Sequence, residues 1–398
     1  ITLRIFKKCL RIFQKSLDGL YKVQDDLVPR VKRIIFEYIQ NLDDEVLKSE
    51  TWDNLKELIT LTNTMLRRYQ LDKSLEVTEV YLLELYFKLL NCGVVEKRLA
   101  GLNEIKSFIK QVCEDEQTAK KTSGFQQRYF SSNGTSAATS ATSPNPEART
   151  AKWHTSRTML KWIDDKRLID VLFHSCTHIE LIRQVKPILL FISETRGFRP
   201  SDIEIIWKSS VGKHETVQRA IYDLIISIMP HINLATTNLF FDQVESITDY
   251  TKLSEHTLEF IKIFIIEAVT HLKKSKDKKR KWFGLGIFWG VLVNDSKLDP
   301  KVTQKAYECL KDLVSRDDFE PQRKNILKAC LDAVSDHKSV PQALSLMKTI
   351  IKTYPVSKKK KKASVWGVIE YLNERVKLYD VLYADLQFAC DQFAKIQA

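Results

Sequence analysis

Apolar residues recur at intervals of three and four along most of this chain, which is the spacing of one face of an α-helix. The same period returns in the segments VKRIIFEYIQNL, LKELITLTNTMLRRY and VTEVYLLELYFKLL. Only 11 glycines and 10 prolines interrupt the 398 residues, which is too few for the turns of a β-sandwich or β-barrel. The pattern therefore predicts an all-α protein. At the start of the chain the helical face consists of Ile5, Phe6, Cys9, Leu10, Ile12, Phe13, Leu17 and Leu20.

Each of these amphipathic helices needs a neighbour that buries its apolar face. Successive helices on short links, with a period of roughly 40 residues for each helix pair, are typical of HEAT and armadillo arrays. We therefore predict an α-solenoid of HEAT/armadillo-like helical hairpins with one long disordered insert. After the insert the predicted helices cover residues 155–173, 179–195, 201–209, 214–229, 234–247, 252–272, 281–293, 299–315, 319–334, 338–354 and 363–396.

The helical period stops between residues 117 and 150, where the chain reads SSNGTSAATSATSPNPEART in its most polar part. A Ser/Thr-rich tract of this kind has too little apolar surface to offset the entropy that ordering it would cost. We predict a helical-repeat segment over residues 1–116, a disordered Ser/Thr-rich linker over 117–150, and a second helical-repeat segment over 151–398.

Seven cysteines are scattered through the sequence among apolar neighbours, as in KACLDAV and QFACDQF. An odd, widely spaced set predicts buried free thiols in a reducing compartment rather than a disulfide framework. No apolar run approaches the roughly 18 to 20 residues that span a bilayer. We therefore expect a protein without a membrane span, located in the cytoplasm, with the nucleus as an additional location left open. We also expect the chain, which opens at Ile1, to be a fragment of a longer protein.

Two basic runs, at residues 273–281 and 358–362, account for most of the net charge of +13. Both lie between predicted helices, where loops protrude. Each run has three interpretations: a solvated loop, a nuclear-import signal, or an anchor for an anionic partner such as an acidic protein or RNA. The first run contains Lys273, Lys274, Lys276, Lys278, Lys279, Arg280 and Lys281, and the second contains Lys358, Lys359, Lys360, Lys361 and Lys362.

Several short motifs resemble chemical sites but have simpler explanations. His174 and His178 could share a helix face beside Cys176, but a structural zinc site needs four ligands and no second pair lies nearby. The three glycines after the first basic run, at 284, 286 and 290, are not preceded by a strand, so close helix packing explains them better than a phosphate site. We predict no metal, no cofactor and no catalytic residue.

Three segments carry a resemblance to a known family: EKRLAGLNEIKSFI from Glu96, WIDDKRLIDVLF from Trp162, and the long helical stretch from Ile179 to Ile225. They resemble the N-terminal helical region of the giant fat-facets-like ubiquitin-specific proteases. The resemblance implies a parent protein that is a thiol-dependent deubiquitinase. None of the seven cysteines here has a glycine among the five residues before it, as the nucleophile of that family would. The catalytic domain is therefore expected elsewhere in the parent.

Two functions follow as hypotheses. In the first, this chain is a monomeric, non-catalytic scaffold of a deubiquitinase that recruits ubiquitinated substrates or adaptors by surface recognition. In the second, it is a free-standing HEAT-type adaptor that binds nucleic acid or transport factors through its basic loops, with binding that weakens steeply as salt rises.

Overall fold

The computed structural model describes residues 3–17, 30, 33–34, 37–51, 53–58, 60–61, 72–130, 155–175, 178–272, 284–294, 298–353, 369–370, 373–374 and 377–397. Within these ranges the chain forms helices and turns and no strand. The predicted all-α class is therefore confirmed. Both basic runs, Cys176 and residues 131–150 of the predicted linker lie outside the described residues.

Two compact units divide the chain, Ile1–Gly197 with Lys208–Leu224, and Phe198–Trp207 with Ile225–Ala398. Up to residue 197 the helices are α1 (Leu3–Leu17), α2 (Asp44–Ser49), α3 (Asp72–Asn91), α4 (Val95–Phe130), α5 (Ser156–Asp165), α6 (Leu168–Asp170), α7 (Ile179–Gln184) and α8 (Lys186–Thr195). Those that follow are α9 (Pro200–Lys208), α10 (Glu215–Ile228), α11 (Leu234–Glu245), α12 (Glu255–Leu272), α13 (Leu285–Val293), α14 (Pro300–Ser315), α15 (Glu320–Ser335), α16 (Val340–Thr353) and α17 (Leu378–Gln397).

Helices α3 and α4 form a closely packed hairpin in the first unit. Leu89 and Leu90 on α3 and Leu102 and Ile105 on α4 are fully buried in this unit. Gly101 is what lets the two backbones approach: a Cβ placed there would lie 2.6 Å from the carbonyl oxygen of Tyr86. No residue with a side chain fits at that distance.

Helix α14 organises the second unit because it packs against helices on both sides of it in the chain. It contacts α13, the helix before it, and also α12 and α16, which lie two helices away in the sequence. Contact with the next helix and the next but one is the arrangement that buries amphipathic helices in a repeat array. Phe241 and Phe264 meet in the same unit, with ring centroids 5.1 Å apart.

Local signals in the sequence explain where several helices begin. Thr155 forms a capping box with Thr158 at the start of α5. Asn233 accepts a hydrogen bond from the backbone N–H of Thr236, 2.8 Å away, at the start of α11. Asp299 caps α14 in the same way, and Pro300 follows it at the first helical position, where a missing N–H costs nothing.

Four predicted boundaries differ from the structure. The predicted helix 363–396 breaks at Lys377, whose φ of 51° is left-handed, and α17 begins at Leu378. The predicted helix 155–173 breaks at Arg167, whose φ of 48° is left-handed, and the predicted helix 179–195 restarts at Lys186, with Pro187 in its first turn. Helix α4 continues to Phe130, past the predicted linker start at residue 117, because QTAKKTSGFQQRYF contains enough good helix formers to extend it. No described helix is both long enough and apolar enough to cross a membrane.

Candidate functional site

The described cysteines differ in burial, and Cys113 is half-buried. Cys92, Cys309 and Cys330 are buried free thiols, as predicted, whereas Cys9 and Cys390 are exposed, so the prediction of burial is wrong for these two. Burial raises the pKa of Cys309 to about 11 and that of Cys330 to about 12. A nucleophilic thiol needs a lowered pKa, so neither residue is suited to thiol-protease chemistry.

The other candidate motifs are structural where they are described. His174 lies in a π-helical turn and His178 precedes α7, and both histidines are exposed. The described part of the chain contains no group of three His, Cys, Asp or Glu residues that could hold a metal ion. A Cβ at Gly284 would lie 2.8 Å from the Cδ1 of Ile265, and Gly290 lies against the phenol ring of Tyr250. Close packing is therefore the role of these two glycines, as predicted.

A half-buried charge cluster joins α12 to α14. The carboxylate of Glu259 on α12 forms two ion pairs. Its oxygens lie 2.7 Å from the Nζ of Lys262 and 2.6 Å from the Nζ of Lys305 on α14. Burial alone would raise the pKa of the Glu259 carboxyl, but hydrogen bonds from the two lysines outweigh it and lower that pKa. Because each charge has an opposite partner, this cluster holds two helices together rather than presenting a charge to a ligand.

Helix α17 is held to the second unit by one face only. Leu378 at its start is buried, and the helix packs against α15. The ring of His337, which follows α15, stacks on Phe388 with centroids 3.6 Å apart. Its Nδ1 lies 2.9 Å from the Oδ1 of Asp385. These contacts fix the rotation of α17 and so determine which residues point away from the unit.

The opposite side of α17 carries a stripe of large exposed side chains, which we name the outer face of α17. Tyr383, Leu386 and Phe393 are 69%, 62% and 61% exposed, and Tyr379 and Cys390 are exposed as well. These residues alternate at intervals of four and three, which is the spacing that packs one helix against another. The outer face of α17 is therefore a candidate protein-docking surface.

Sequence reasoning did not identify this surface, although a signal was present. We predicted one helix over residues 363–396 and expected the thiol of Cys390 to be buried. The described helix has two apolar stripes, one through Leu378 and Phe388 and one through Tyr383 and Leu386. A second stripe at helical spacing is the feature that indicates a further partner.

Comparison with known proteins gives the identity of the repeats. The sequence model described as the UBP24/USP9X/USP9Y ARM repeat matches residues 76–398. Human ubiquitin carboxyl-terminal hydrolase 9Y is 23% identical over 273 residues, which is 67% of this chain and 9% of that protein. Mouse ubiquitin carboxyl-terminal hydrolase 9X is 21% identical over 284 residues, 69% of this chain and 10% of that protein.

A more distant relative extends the match along the chain. The probable ubiquitin carboxyl-terminal hydrolase FAF of Drosophila melanogaster is 20% identical over 340 residues, covering 81% of this chain and 11% of that protein. The chain thus spans 9–11% of the length of these curated relatives. These matches confirm the resemblance found in the sequence and the predicted armadillo-like solenoid class, and they do not support a free-standing nucleic-acid adaptor. The family match covers more than half of the sequence, and the chain belongs to the UBP24/USP9X/USP9Y ARM repeat family.

Proposed function

We propose that this chain is a non-catalytic helical scaffold region of a large ubiquitin-specific protease. In this proposal it recruits ubiquitinated substrates or adaptors, and a thiol-dependent catalytic domain elsewhere in the longer protein removes the ubiquitin. The family match over residues 76–398, to repeats of proteins named as ubiquitin carboxyl-terminal hydrolases, is the observation that carries the proposal. Armadillo repeats bind partners through extended helical surfaces.

The outer face of α17 supports a recruiting role because it offers a large apolar surface on a fixed helix. Tyr and Phe residues give much contact area for little loss of side-chain entropy, and they are frequent at the centres of interfaces. Tyr383 and Phe393 are of this kind, and the contacts of His337 hold their helix in place. A partner that covers them would bury apolar surface without a rearrangement of the helix.

A pull-down from cell lysate tests the proposal, with the full chain as bait and an antibody against ubiquitin as the readout. We expect the wild-type chain to recover ubiquitin conjugates and the variant Leu386→Asp to recover far fewer. Gln392→Asp adds the same charge to another exposed position of α17 and serves as the matched control. Equal recovery of conjugates by all three proteins would remove α17 from the recruiting surface, and no recovery by any would contradict the scaffold role.

In this proposal the protein is cytoplasmic, and the basic runs at 273–281 and 358–362 are solvated loops that bind no partner. Neutralising their lysines should leave the recovered ubiquitin conjugates unchanged, and a fluorescent fusion should remain in the cytoplasm. If the fusion is nuclear and neutralisation moves it to the cytoplasm, the runs act as import signals. If the wild-type chain instead recovers RNA whose amount falls steeply with salt, the runs bind an anionic partner.

A further inference from the structure

The ammonium group of Lys106 on α4 has a neutral side chain as its partner. Lys106 is half-buried, and α4 packs against α7 in the first unit. The Nζ of Lys106 donates a hydrogen bond to the Oε1 of Gln184 on α7, 2.8 Å away. Among the described residues this amide is the one hydrogen-bond partner of the ammonium group. A positive charge is thus partly removed from water without a carboxylate to balance it.

The sequence around Lys106 explains why it has no ion pair. The neighbours of a residue on a helix surface are the residues three and four positions away, and none of those around Lys106 carries a carboxylate. They are Leu102, Asn103, Ile109 and Lys110. The acidic residue of α7, Glu180, already pairs with Arg183, whose Nη1 lies 2.9 Å from its Oε1. Neither helix therefore offers Lys106 an opposite charge.

Burial without an opposite charge lowers the pKa of Lys106 from its usual value of 10.5. Ion-paired lysines show the opposite shift. A hydrogen bond to Glu45 raises the pKa of Lys48, and a hydrogen bond to Glu259 raises the pKa of Lys305. At neutral pH a larger fraction of Lys106 is therefore the neutral amine. This form has a free lone pair and is the nucleophile.

Three other lysines of the first unit are withdrawn from water but are held by more partners. Lys7 is buried, and its Nζ lies 2.7 Å from the carboxylate of Glu57 and 2.9 Å from the Oδ1 of Asn54. Lys88 and Lys97 donate to three and two backbone carbonyl groups respectively. Each of these three would lose an ion pair or several hydrogen bonds on becoming a free amine. Lys106 loses one bond to an amide, and its side chain still reaches solvent.

We propose that Lys106 is an acylation site, at which the chain accepts a short acyl group from an acyl thioester. The neutral Nζ attacks the carbonyl carbon of the thioester, so that a carbon–nitrogen bond forms and the carbon–sulfur bond breaks. The sulfur leaves as a thiolate and takes up the proton that the nitrogen loses. The products are an amide at Lys106 and a free thiol, with no change of oxidation state. The half-buried position favours a short acyl group over a bulky one.

Acylation of Lys106 would weaken the contact of α4 with α7. The reaction removes the positive charge and leaves one N–H group in place of three. The hydrogen bond to Gln184 then joins two neutral amides, and such a bond is roughly half as strong as one from a cation. The acyl group must also be accommodated next to a side chain that now lies 2.8 Å from Nζ. The packing of α7 thereby becomes sensitive to the supply of activated acyl groups.

Acetyl coenzyme A is the probe for the first test, with the full chain as substrate and no enzyme added. Mass spectrometry of digested protein after timed reaction gives the initial rate at each lysine. At about pH 7.5 we expect Lys106 to be acetylated about fivefold faster than Lys48 or Lys305, whose ion pairs favour the charged form. The ratio of the Lys106 rate to the Lys48 rate should fall as the pH rises toward about 10, because Lys106 becomes fully neutral first.

The variant Gln184→Glu tests whether the neutral partner causes the reactivity. It places a carboxylate beside Lys106 with almost no change of shape, so the Lys106 rate should fall about fivefold while the Lys48 rate stays the same. Gln111→Glu makes the same substitution at an exposed position of α4 and should leave both rates unchanged. Both variants should keep the wild-type circular dichroism spectrum, which separates a change of reactivity from a loss of folding.

Three results would overturn the acylation site. The first is a Lys106 rate equal to or below that of Lys48. The second is an unchanged Lys106 rate in Gln184→Glu, because the neutral partner would then not control the reactivity. The third is an advantage of Lys106 that persists in urea, since unfolding should make the rates of the lysines similar if the fold is the cause.

Hydrogen exchange in α7 tests the expected consequence of acylation. Lys106→Gln replaces the ammonium group with a neutral amide, as acylation does, and should speed up exchange of the α7 amides severalfold. Lys106→Arg keeps the positive charge and should retain most of the protection. Equal exchange of α7 in the two variants would refute the effect on the contact between α4 and α7.

Discussion

Arg323 on α15 is fully buried, and backbone carbonyl groups surround its guanidinium. Its Nε donates to the carbonyl of Val314 at 2.8 Å, Nη1 to that of Thr353 at 2.8 Å, and Nη2 to that of Arg316 at 2.9 Å. These carbonyls lie at the C-terminal ends of α14 and α16, where the helix dipoles favour a cation. One side chain therefore satisfies the ends of two helices.

Replacing Arg323 with methionine should lower the free energy of unfolding by about 2 to 4 kcal/mol, because it leaves several buried carbonyl groups without a donor. Urea unfolding followed by circular dichroism measures the change. Arg323→Lys should recover only part of the loss, since an ammonium group cannot reproduce the fork of the guanidinium. Arg316→Met, at an exposed side chain, is the control, and an equal effect there would contradict the capping role.

The Glu259 cluster should make stability depend on pH in a defined direction. The pKa of this carboxyl is lower in the folded chain than its usual value of 4.5. Its contribution to stability is therefore complete above that usual value and is lost as the pH falls through the lower folded pKa. The difference in unfolding free energy between wild type and Glu259→Gln should shrink from pH 7 to pH 3. A difference in unfolding free energy that stays constant over this pH range would mean that the ion pairs of Glu259 contribute nothing to stability.

The cysteines should separate into two reactivity classes. In the native chain, iodoacetamide should modify Cys9 and Cys390 quickly, because both are exposed. Cys309 and Cys330 should react only after unfolding, since they are buried and their pKa values are raised to about 11 and about 12. Mass spectrometry of digested protein after timed labelling measures each site, and fast native labelling of Cys330 would contradict its burial.

At the scale of the element, the hairpin of α3 and α4 depends on one glycine. Gly101→Ala should destabilise the first unit by about 2 kcal/mol or more, because the new Cβ meets the backbone of α3. Hydrogen exchange of the α3 and α4 amides at increasing urea concentration reports this unit. Gly93→Ala, in the link between the same helices, meets only the side chain of Lys48 at 3.6 Å and is the control. Equal urea midpoints for Gly101→Ala and Gly93→Ala would contradict the close approach of the α3 and α4 backbones.

The helices were predictable from the sequence because the residues that each helix buries recur at helical spacing. The array forms when neighbouring helices bury these residues against one another. The interruption at Arg167 was not predictable, since the apolar spacing continues across that position and only the backbone conformation changes. The interruption at Lys186 did have a signal in the sequence, because Pro187 cannot continue a helix. The outer face of α17 was missed for a different reason. Periodicity shows that a stripe exists, but whether Leu386 is covered depends on what packs beside it.

At the scale of the whole molecule, contacts between near neighbours should keep the effects of a substitution local. Helix α14 contacts α12 and α16, whereas α11 packs against α12. In a repeat array, stability is a sum of local terms. Hydrogen exchange in Arg323→Met should therefore speed up in α14 and α16 and change much less in α11. Equal loss of protection throughout the second unit would indicate one cooperative block.

Family and fold class were predictable at this scale because they depend on many positions at once. The segments from Glu96 and Trp162 carry the resemblance, and the comparisons confirm it. A docking surface depends on a few positions such as Tyr383 and Phe393. Whether these residues are exposed depends on how other helices pack around them, which no single stretch of sequence shows.

Gly101 and Gly290 differ in how easily another residue can replace them as the sequences of the family diverge. The atoms that block a side chain at 290 belong to Tyr250, so a smaller residue at 250 opens the position to change. At 101 the blocking atoms belong to the backbone of Tyr86 and Leu90, and no mutation elsewhere removes them. Position 290 can therefore drift if its partner mutates first, whereas 101 has no such evolutionary route. We expect relatives as distant as 20% identity to keep a glycine equivalent to Gly101.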